Sequence, residues 1–408
     1  MTALEQPLVA ESADLAEEVV ALRRAIHRRP ELGLDNPETQ QRIVEALDGL
    51  GLEITTGDAI TSVTATLRGA RPGRSILLRA DTDALPMSED TDWADRSEHP
   101  DRAHVCGHDA HVAMLVGAAK LLAARRDQLA GSVRFMFQPG EEGFGGAPVM
   151  IDEGVLSDGL DESVSAAFAI HITPNLPVGT VGSRPGPLMA STDDFYVTVR
   201  GRGGHASSPH FANDPVPVAA EMVTALQTFV ARRVHVFDPA VLTVAHITAG
   251  TTTNVIPDSA FFEGTIRTTA ESTRLQVREG FERVVRGIAA AHDCQVDIEL
   301  HAGYPVTVND GAFCGWMAEV VHDTLGEGAY FELPWPVMGA EDFSYVLQRV
   351  PGAMAFLGVC PADIGNSLEA PACHSNLMRL NEDALHLGVA LHAAVALRHL
   401  SEHPSPAA

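Results

Sequence analysis

The stretch 104–111, with the sequence HVCGHDAH, contains five side chains of types that bind metal ions. Cys106 and His108 are two positions apart, which is too close for one face of a helix but suits a loop that approaches an ion from two sides. Gly107 between them allows the backbone to turn tightly. We expect Asp109 to cap the N-terminus of the apolar helix that follows. The alternative interpretation is structural, with a buried cysteine beside a histidine-rich loop.

Three short apolar runs, 75–80, 132–137 and 164–170, alternate with helical patterns and are typical of buried strands. Ligand-type side chains come directly after each run: Asp81 and Asp83, Glu141 and Glu142, and His171. Strands that alternate with helices predict a largely parallel sheet covered by helices. Ligands bind outside the carboxyl ends of the strands in such sheets. We therefore expect these side chains to meet at one edge of the sheet.

The pattern changes after a Gly- and Pro-rich segment, 179–189, which we interpret as a linker. The order strand, helix, strand, strand, helix, strand that follows is the split βαβ arrangement. Alternating helices and strands return from residue 304, with one helix predicted at 341–349. The predicted fold class is α/β, a mainly parallel sheet sandwiched by helices, with an inserted α+β ferredoxin-like domain. The predicted boundaries are 1–186 and 302–408 for the first domain and 187–301 for the inserted one.

Composition restricts the class of partner. The 408-residue chain has 54 acidic and 28 basic side chains, a formal net charge of −26, which argues against nucleic acids and anionic membranes. Its five cysteines are scattered without a CxxC pair, which fits a reducing compartment better than a disulfide framework. No signal-peptide pattern or run of 18 apolar residues is present. We expect a cytoplasmic protein with no membrane partner.

The glutamate pair gains meaning from its context. Paired glutamates usually lie on solvated surfaces, but Glu141 and Glu142 follow an apolar strand and are flanked by glycines. In that position one carboxylate could bind a metal ion while the other acts as general base on water. Several other side chains could complete such a site, although single histidines are more often structural. The combined set is large enough to hold two transition metals: Cys106, His108, Glu142, His171 and His374.

Several longer motifs occur together in this order. They are HxxPELG (27–33), RADxDALP (79–86), HxCGHDxH (104–111), QPGEEG (138–143), AxHxxP around His171, GxGGHASxPH (201–210), TxxNVIPD (251–258), GTIRT (264–268), GAEDFS (339–344) and HSN at His374. In these motifs the chain resembles the di-metal amidohydrolases that include aminoacylases, hippurate hydrolases and indole-3-acetyl-amino-acid hydrolases. These are relatives of the aminoacylase and carboxypeptidase metallopeptidases, with a zinc-exopeptidase-like catalytic domain. The resemblance covers roughly residues 20–398.

The resemblance implies two divalent metal ions per chain, Zn or Mn, with Co or Ni as alternatives. It implies that Cys106 is the ligand shared by both ions. Glu142 and His374 would hold one ion, and His108 and His171 would hold the other.

The acidic side chains near these ligands have separate roles in the resemblance. Glu141 would be the general base. Asp83 would orient a ligand histidine. Asp81 stands where the wider superfamily has a metal-binding histidine, so we do not count it as a ligand.

The resemblance also gives the inserted domain a role as lid and dimerisation domain. His205 would stabilise the oxyanion in the active site of the partner subunit of a homodimer, or of a higher oligomer. Asn254 and Arg267 would contact the substrate, and the planar guanidinium of Arg267 suits a carboxylate.

The activity that these features imply is hydrolysis of the amide bond of a small-molecule N-acyl amino acid, with an acetyl, benzoyl or related acyl group. Two alternatives remain open from the sequence. One is a dipeptidase or carboxypeptidase on the same scaffold, and the other is a catalytically dead binding protein. The complete ligand and base set argues against the second, since a dead homologue could lose several of these residues.

Overall fold

The structure is a computed structural model that describes residues 8–157 and 163–402. Its helices are α1 (Leu8–Asp14), α2 (Ala16–His27), α3 (Pro37–Leu47), α4 (His108–Ala123), α5 (Gly146–Asp152), α6 (Pro215–Arg233), α7 (Glu271–Ala291), α8 (Gly311–Leu325), α9 (Ser344–Leu347) and α10 (Leu385–Glu402). Its strands are β1 (Glu53–Thr56), β2 (Val63–Arg68), β3 (Arg71–Asp81), β4 (Ala130–Gln138), β5 (Val164–Thr173), β6 (Val181–Ser183), β7 (Gly186–Met189), β8 (Ser191–Arg200), β9 (Gly204–His205), β10 (Ala240–Ala249), β11 (Val255–Ile256), β12 (Ser259–Thr268), β13 (Gln295–Ala302), β14 (Thr307–Asn309), β15 (Tyr330–Glu332) and β16 (Gly352–Gly358).

An eight-stranded sheet forms in the order β1-β2-β4-β3-β5-β16-β6-β15. Its centre consists of four adjacent parallel strands, β4, β3, β5 and β16. Antiparallel pairs, β1 with β2, β2 with β4, and β6 with β16, occur towards its two sides. The three apolar runs predicted as buried strands lie in β3, β4 and β5, and the predicted α/β class is confirmed.

Helix α4 is buried on almost every side, with 14 of its 16 residues inaccessible. It packs against β3 and between α2 and α10, which explains its apolar sequence all round. Asp109 does not cap this helix, so that prediction is wrong. Its carboxylate instead forms an ion pair with Arg23, whose Nε lies 2.6 Å from Oδ2, and accepts a hydrogen bond from His27 Nδ1 at 2.8 Å. These charge-assisted bonds from α2 are stronger than a cap to a backbone N–H.

The split βαβ segment forms a four-stranded sheet in the order β10-β12-β8-β13, with every neighbouring pair antiparallel. Helices α6 and α7 pack against this sheet and against each other. Their apolar side chains form a hydrophobic core that is separate from the core around the eight-stranded sheet. Asp214 caps α6, because its carboxylate accepts from the backbone N–H of Val216 at 3.0 Å.

The chain divides into two compact units. The first runs up to Leu188 and resumes over Val308–Pro334 and from Tyr345. The second comprises Met189–Thr307 and Trp335–Ser344. The lid and dimerisation roles of the inserted domain stay predictions.

Two local predictions are wrong. The expected linker 179–189 contains β6 and β7, and β6 pairs with β15 and β16, which come about 150 and 170 residues later in the chain. The helix expected over 341–349 is reduced to α9. Before it, the Glu341 carboxylate accepts from the backbone N–H of Phe343 at 2.9 Å and holds a turn in place of helix. In the part of the chain that the structure describes, no helix is both long and apolar enough to cross a membrane.

Candidate metal centre

The carboxyl ends of three neighbouring parallel strands bring the predicted site together. β3 lies between β4 and β5 in the sheet and ends at Asp81. Glu141 and Glu142 follow the end of β4, and His171 lies near the end of β5. Cys106 and His108 reach the same edge because α4 begins there. The candidate site residues of the first unit therefore lie on separate elements whose ends meet at one edge of the sheet.

Gly107 sets the geometry between the two candidate ligands of the 104–111 stretch. Its φ is 91°, a left-handed conformation that favours glycine. A Cβ atom at this position would lie 2.5 Å from Cγ1 of Ile172, so a side chain has no room. Cys106 is nearly inaccessible and His108 is fully buried. The tight turn that the sequence predicted at this glycine is therefore present.

Five groups of three possible ligand residues occur among the described residues, and two of them consist entirely of the predicted ligands. One contains Cys106, His108 and His171, and the other contains Cys106, Glu142 and His374. Within each group the ligand atoms lie within 4.8 Å of one another. The Sγ of Cys106 is 3.4 Å from Nε2 of His171, and Nε2 of His374 is 3.2 Å from Oε1 of Glu142. The thiol of Cys106 belongs to both groups.

Asp83 is shared between a candidate ligand and the acidic pair. Its Oδ1 accepts from the backbone N–H of Glu141 at 2.9 Å, and its Oδ2 accepts from that of Glu142 at 3.0 Å. The same Oδ1 lies 3.5 Å from Nδ1 of His108. With Nδ1 directed at this carboxylate, Nε2 of His108 faces the other candidate ligands. One buried carboxylate thus orients the histidine and fixes the turn that carries both glutamates.

His171 is oriented by a chain of hydrogen bonds that sequence reasoning missed. Its Nδ1 donates to the carbonyl of Ile172 at 2.6 Å, which leaves the Nε2 lone pair free to bind a metal. The backbone N–H of Ile172 donates to Nε2 of His111 at 2.8 Å, and Nδ1 of His111 donates to Oδ1 of Asp81 at 2.6 Å. The motif HxCGHDxH contained His111, but its partner in the β5 backbone is visible only in the fold.

The buried ionisable groups of the site differ in how their surroundings shift their pKa values. Burial raises the pKa of Asp81, but Arg79, His108 and His111 together hold it well below its usual value. Burial alone would lower the pKa of His108, but Asp81, Asp83 and Glu142 raise it to about 10. This surplus of negative charge at the imidazole stabilises a cation. Burial lowers the pKa of His171 well below its usual value, so that ring is neutral.

His374 has a strained backbone. Its φ is 70°, which is uncommon for a residue other than glycine and concentrates at functional sites. Its backbone N–H donates to the carbonyl of Val105 at 2.8 Å, so the loop that carries it is joined to the segment that carries Cys106. The imidazole is about half exposed, whereas Glu142 beside it is 11% exposed. The hydrogen bond to Val105 therefore holds the loop that carries His374 against the segment that carries Cys106.

The donor set fits divalent metal ions. Nε2 of His108 is buried and has no hydrogen-bond partner, and it lies 3.6 Å from Oδ2 of Asp81 and 3.9 Å from Oε1 of Glu142. A buried ring nitrogen without a partner needs an explanation, and a metal ion supplies one. A thiol, three imidazoles and a carboxylate are the ligands that first-row transition metals prefer. The individual ligand roles stay predictions.

The predicted substrate residues lie in the second unit. His205 in β9 pairs with Val255 in β11, next to Asn254, and the side chains of His205 and Asn254 are exposed. Nδ1 of His205 accepts from the backbone N–H of Ser207 at 3.1 Å, so Nε2 is the ring nitrogen that is left to donate. Arg267 in β12 is partly buried, and this burial lowers its pKa, an effect that nearby aspartates oppose.

Residues 77–398 match the model of the peptidase family M20/M25/M40. The chain is 38% identical over 400 residues to IAA-amino acid hydrolase ILR1-like 2 of Arabidopsis thaliana, which covers 97% of this chain and 88% of that relative. It is 40% identical over 344 residues to N-acetyl-L-cysteine deacetylase of Bacillus subtilis, covering 84% of this chain and 81% of that relative. A solved Bacillus subtilis structure, described as a dinuclear metal-binding peptidase of the M20 family, matches with a TM-score of 0.81 at 33% identity, covering 95% and 99% of the two chains.

The chain therefore belongs to the peptidase family M20/M25/M40. The resemblance to the amidohydrolase and metallopeptidase family is confirmed, and so is the prediction that the chain is an enzyme of the amidohydrolase class.

Proposed function

We propose that this enzyme hydrolyses the amide bond of N-acyl amino acids with two divalent metal ions, releasing a carboxylate and a free amino acid. The observation that carries the proposal is the position of Cys106 in both three-residue ligand groups, with Glu141 beside them. The hydrolase relatives named for an amino-acid conjugate and for N-acetyl-L-cysteine support this substrate class.

Two sets of ligands would hold the two ions, and Cys106 belongs to both sets. His108 and His171 complete one ligand set, and Glu142 and His374 complete the other. When bound, the ions would supply the positive charge that lowers the pKa of water and polarises the amide carbonyl. Asp83 keeps Nε2 of His108 turned towards the ligand group through its contact with Nδ1.

Glu141 is the proposed general base. Its backbone is held by Asp83, and its carboxylate belongs to a group of oxygens and nitrogens with His108 and Glu142. It accepts a proton from the attacking water and returns it to the nitrogen of the departing amine.

Residues of the second unit complete the proposed mechanism. The Nε2–H of His205 donates a hydrogen bond to the oxyanion that develops on the amide oxygen. Arg267 binds the α-carboxylate of the substrate with two parallel N–H groups, and Asn254 contacts the substrate. We propose that His205 serves the site of the partner subunit in a homodimer.

The proposed metal is Zn or Mn. A thiolate shared by both ions favours the softer metals Zn, Co and Ni, whereas carboxylate ligands also suit Mn.

All five cysteines are free thiols, which fits a reducing compartment such as the cytoplasm.

A second candidate function is hydrolysis of small peptides, because the matched Bacillus subtilis structure is described as a peptidase. Amine release from N-acetyl, N-benzoyl and indole-3-acetyl amino acids should be compared with release from dipeptides, using metal-free protein reloaded with Zn, Mn, Co or Ni. We expect kcat/KM for the best acylated amino acid to exceed that for the best dipeptide by at least about tenfold. The reverse order would establish the peptidase. If no amine is released with any metal, both hydrolase functions are contradicted and the catalytically dead binding protein is the remaining alternative.

A further inference from the structure

Cys373 lies directly beside the proposed shared ligand. The backbone bond from His374 N–H to the carbonyl of Val105 places residue 373 next to residue 106. Sγ of Cys373 is 3.8 Å from the carbonyl oxygen of Cys106. A disulfide requires neighbouring backbones, and these two contacts make the backbones at Cys106 and Cys373 neighbours.

The mechanism does not use Cys373. Neither of the two ligand groups contains it, and its thiol instead contacts the backbone carbonyls of Cys106 and Ile172. Cys373 is partly exposed, whereas Cys106 is buried. Of the two residues, Cys373 is therefore the more exposed, and we take it as the first to react with a reagent from solution. Two other buried thiols have different surroundings: Cys314 contacts Ser183 and Tyr330, and Cys360 contacts the carbonyl of Pro361.

We propose that Cys106 and Cys373 form a redox-sensitive pair, in which a low-molecular-weight disulfide converts the metal-free enzyme to an internally crosslinked form that cannot bind both metals. The inference rests on the proposed function in one respect, the role of Cys106 as shared ligand. Bound metal protects the pair because the Cys106 sulfur is then held by the ions. The crosslink in turn removes the thiolate from both ligand groups at once.

The crosslink forms in two successive thiol–disulfide exchange reactions. The Cys373 sulfur attacks one sulfur of the reagent, the reagent S–S bond breaks, and one thiol leaves. The Cys106 sulfur then attacks the Cys373 sulfur of the mixed disulfide, and the second thiol leaves. The two protein thiols lose two electrons to the reagent, and their protons are found on the two released thiols.

The test uses oxidised glutathione on the full-length chain, once stripped of metal and once loaded with Zn. Intact mass and peptide mapping follow the crosslink, and elemental analysis after re-addition of Zn follows metal binding. We expect the metal-free protein to form the 106–373 crosslink, at least about tenfold faster than the loaded protein. The crosslinked protein should bind fewer than two ions, and dithiothreitol should restore binding.

Two variants make the test specific. Cys373→Ser should keep wild-type hydrolysis and metal binding, and should keep its metal binding after glutathione treatment. Cys360→Ser is the matched control, since it removes a buried thiol outside the pair and should crosslink as the wild type does. Equal crosslinking rates with and without Zn would overturn the proposal. So would a stable glutathione adduct on Cys373 with no crosslink, or crosslinked protein that still binds two ions.

These readouts are independent of any substrate. If the substrate panel fails while the crosslink still blocks metal binding, the proposed activity is wrong and the thiol pair stands. If hydrolysis is found and the crosslink does not form, only the thiol pair is wrong.

Discussion

Asp83 is not a proposed ligand, but its carboxylate contacts three groups of the candidate site. Its two oxygens accept the backbone N–H groups of Glu141 and Glu142, and one of them also faces Nδ1 of His108. A neutral amide in its place would turn an N–H₂ group towards one of the two backbone donors. The base, a carboxylate ligand and a histidine ligand would then lose their shared support.

The variant Asp83→Asn should therefore weaken metal binding by about 10- to 100-fold, the usual range for loss of a group that orients a ligand. Competition with a chelating dye measures this affinity. Asp127→Asn, at an exposed position, is the matched control and should bind metal as the wild type does. Wild-type affinity in Asp83→Asn would show that His108 and the glutamate turn hold their positions without this carboxylate.

Replacing the base should separate chemistry from metal binding. Glu141→Gln keeps the shape of the side chain but cannot accept a proton, so turnover should fall by at least about 10²-fold. Elemental analysis should still find the wild-type amount of metal, because Glu141 is not a proposed ligand. Near-normal kcat in this variant would assign the base to another group.

At the scale of elements, the site depends on how closely α4 and β5 approach each other. Gly107 directly precedes α4 and touches Ile172 of β5, in a conformation with φ of 91°. The hydrogen bond from Ile172 N–H to His111 joins the same two elements one turn further along. The turn that holds Cys106 and His108 is thus packed between two buried elements.

Gly107→Ala should disturb this packing and reduce metal affinity, since its Cβ would lie 2.5 Å from Ile172. Gly49→Ala is the matched control, with a similar positive φ of 73° and no atom within 4 Å of the added Cβ. It should lower the free energy of unfolding by about 1 kcal/mol and leave metal affinity unchanged. If Gly107→Ala binds both ions as tightly as the control does, the turn is not constrained as described.

Sequence patterns predicted those elements whose signals are local. The runs in β3, β4 and β5 are mostly apolar, and the strand and helix patterns of the second unit follow one another regularly, so these elements were predicted. β6 was missed because its partners β15 and β16 come about 150 and 170 residues later in the chain. Asp109 was misplaced for a similar reason, because Arg23 and His27 on α2 compete for its carboxylate. Ligand-type residues were recognisable by motif, but their supporting hydrogen bonds were not.

At the scale of the whole molecule, the proposed active unit is a dimer that exchanges catalytic residues. Mixing inactive Glu141→Ala chains with inactive His205→Ala chains should restore roughly a quarter of wild-type activity, because about half of randomly paired dimers contain one intact site. Size-exclusion chromatography must show that a dimer forms, and subunit exchange must be followed with a label.

The matched control for this experiment mixes Glu141→Ala with Glu142→Ala chains. Both substitutions then lie in the unit that carries the metal ligands. Each site of a mixed dimer therefore contains one of the two substitutions, whether His205 comes from the same chain or from the partner, and no activity should return. A dimer that exchanges subunits and still shows no recovery from the Glu141→Ala and His205→Ala mixture would contradict the shared site. His205 would then act within its own chain.

The central claim is that two metal ions, joined by Cys106, are required for amide hydrolysis. The most direct measurement is a titration of metal-free protein with Zn or Mn, in which bound metal and release of amine from an N-acyl amino acid are followed in the same samples. We expect saturation at two ions per chain, with full hydrolysis only when both ions are bound. Full hydrolysis with one ion per chain, or after exhaustive removal of metal, would contradict the account.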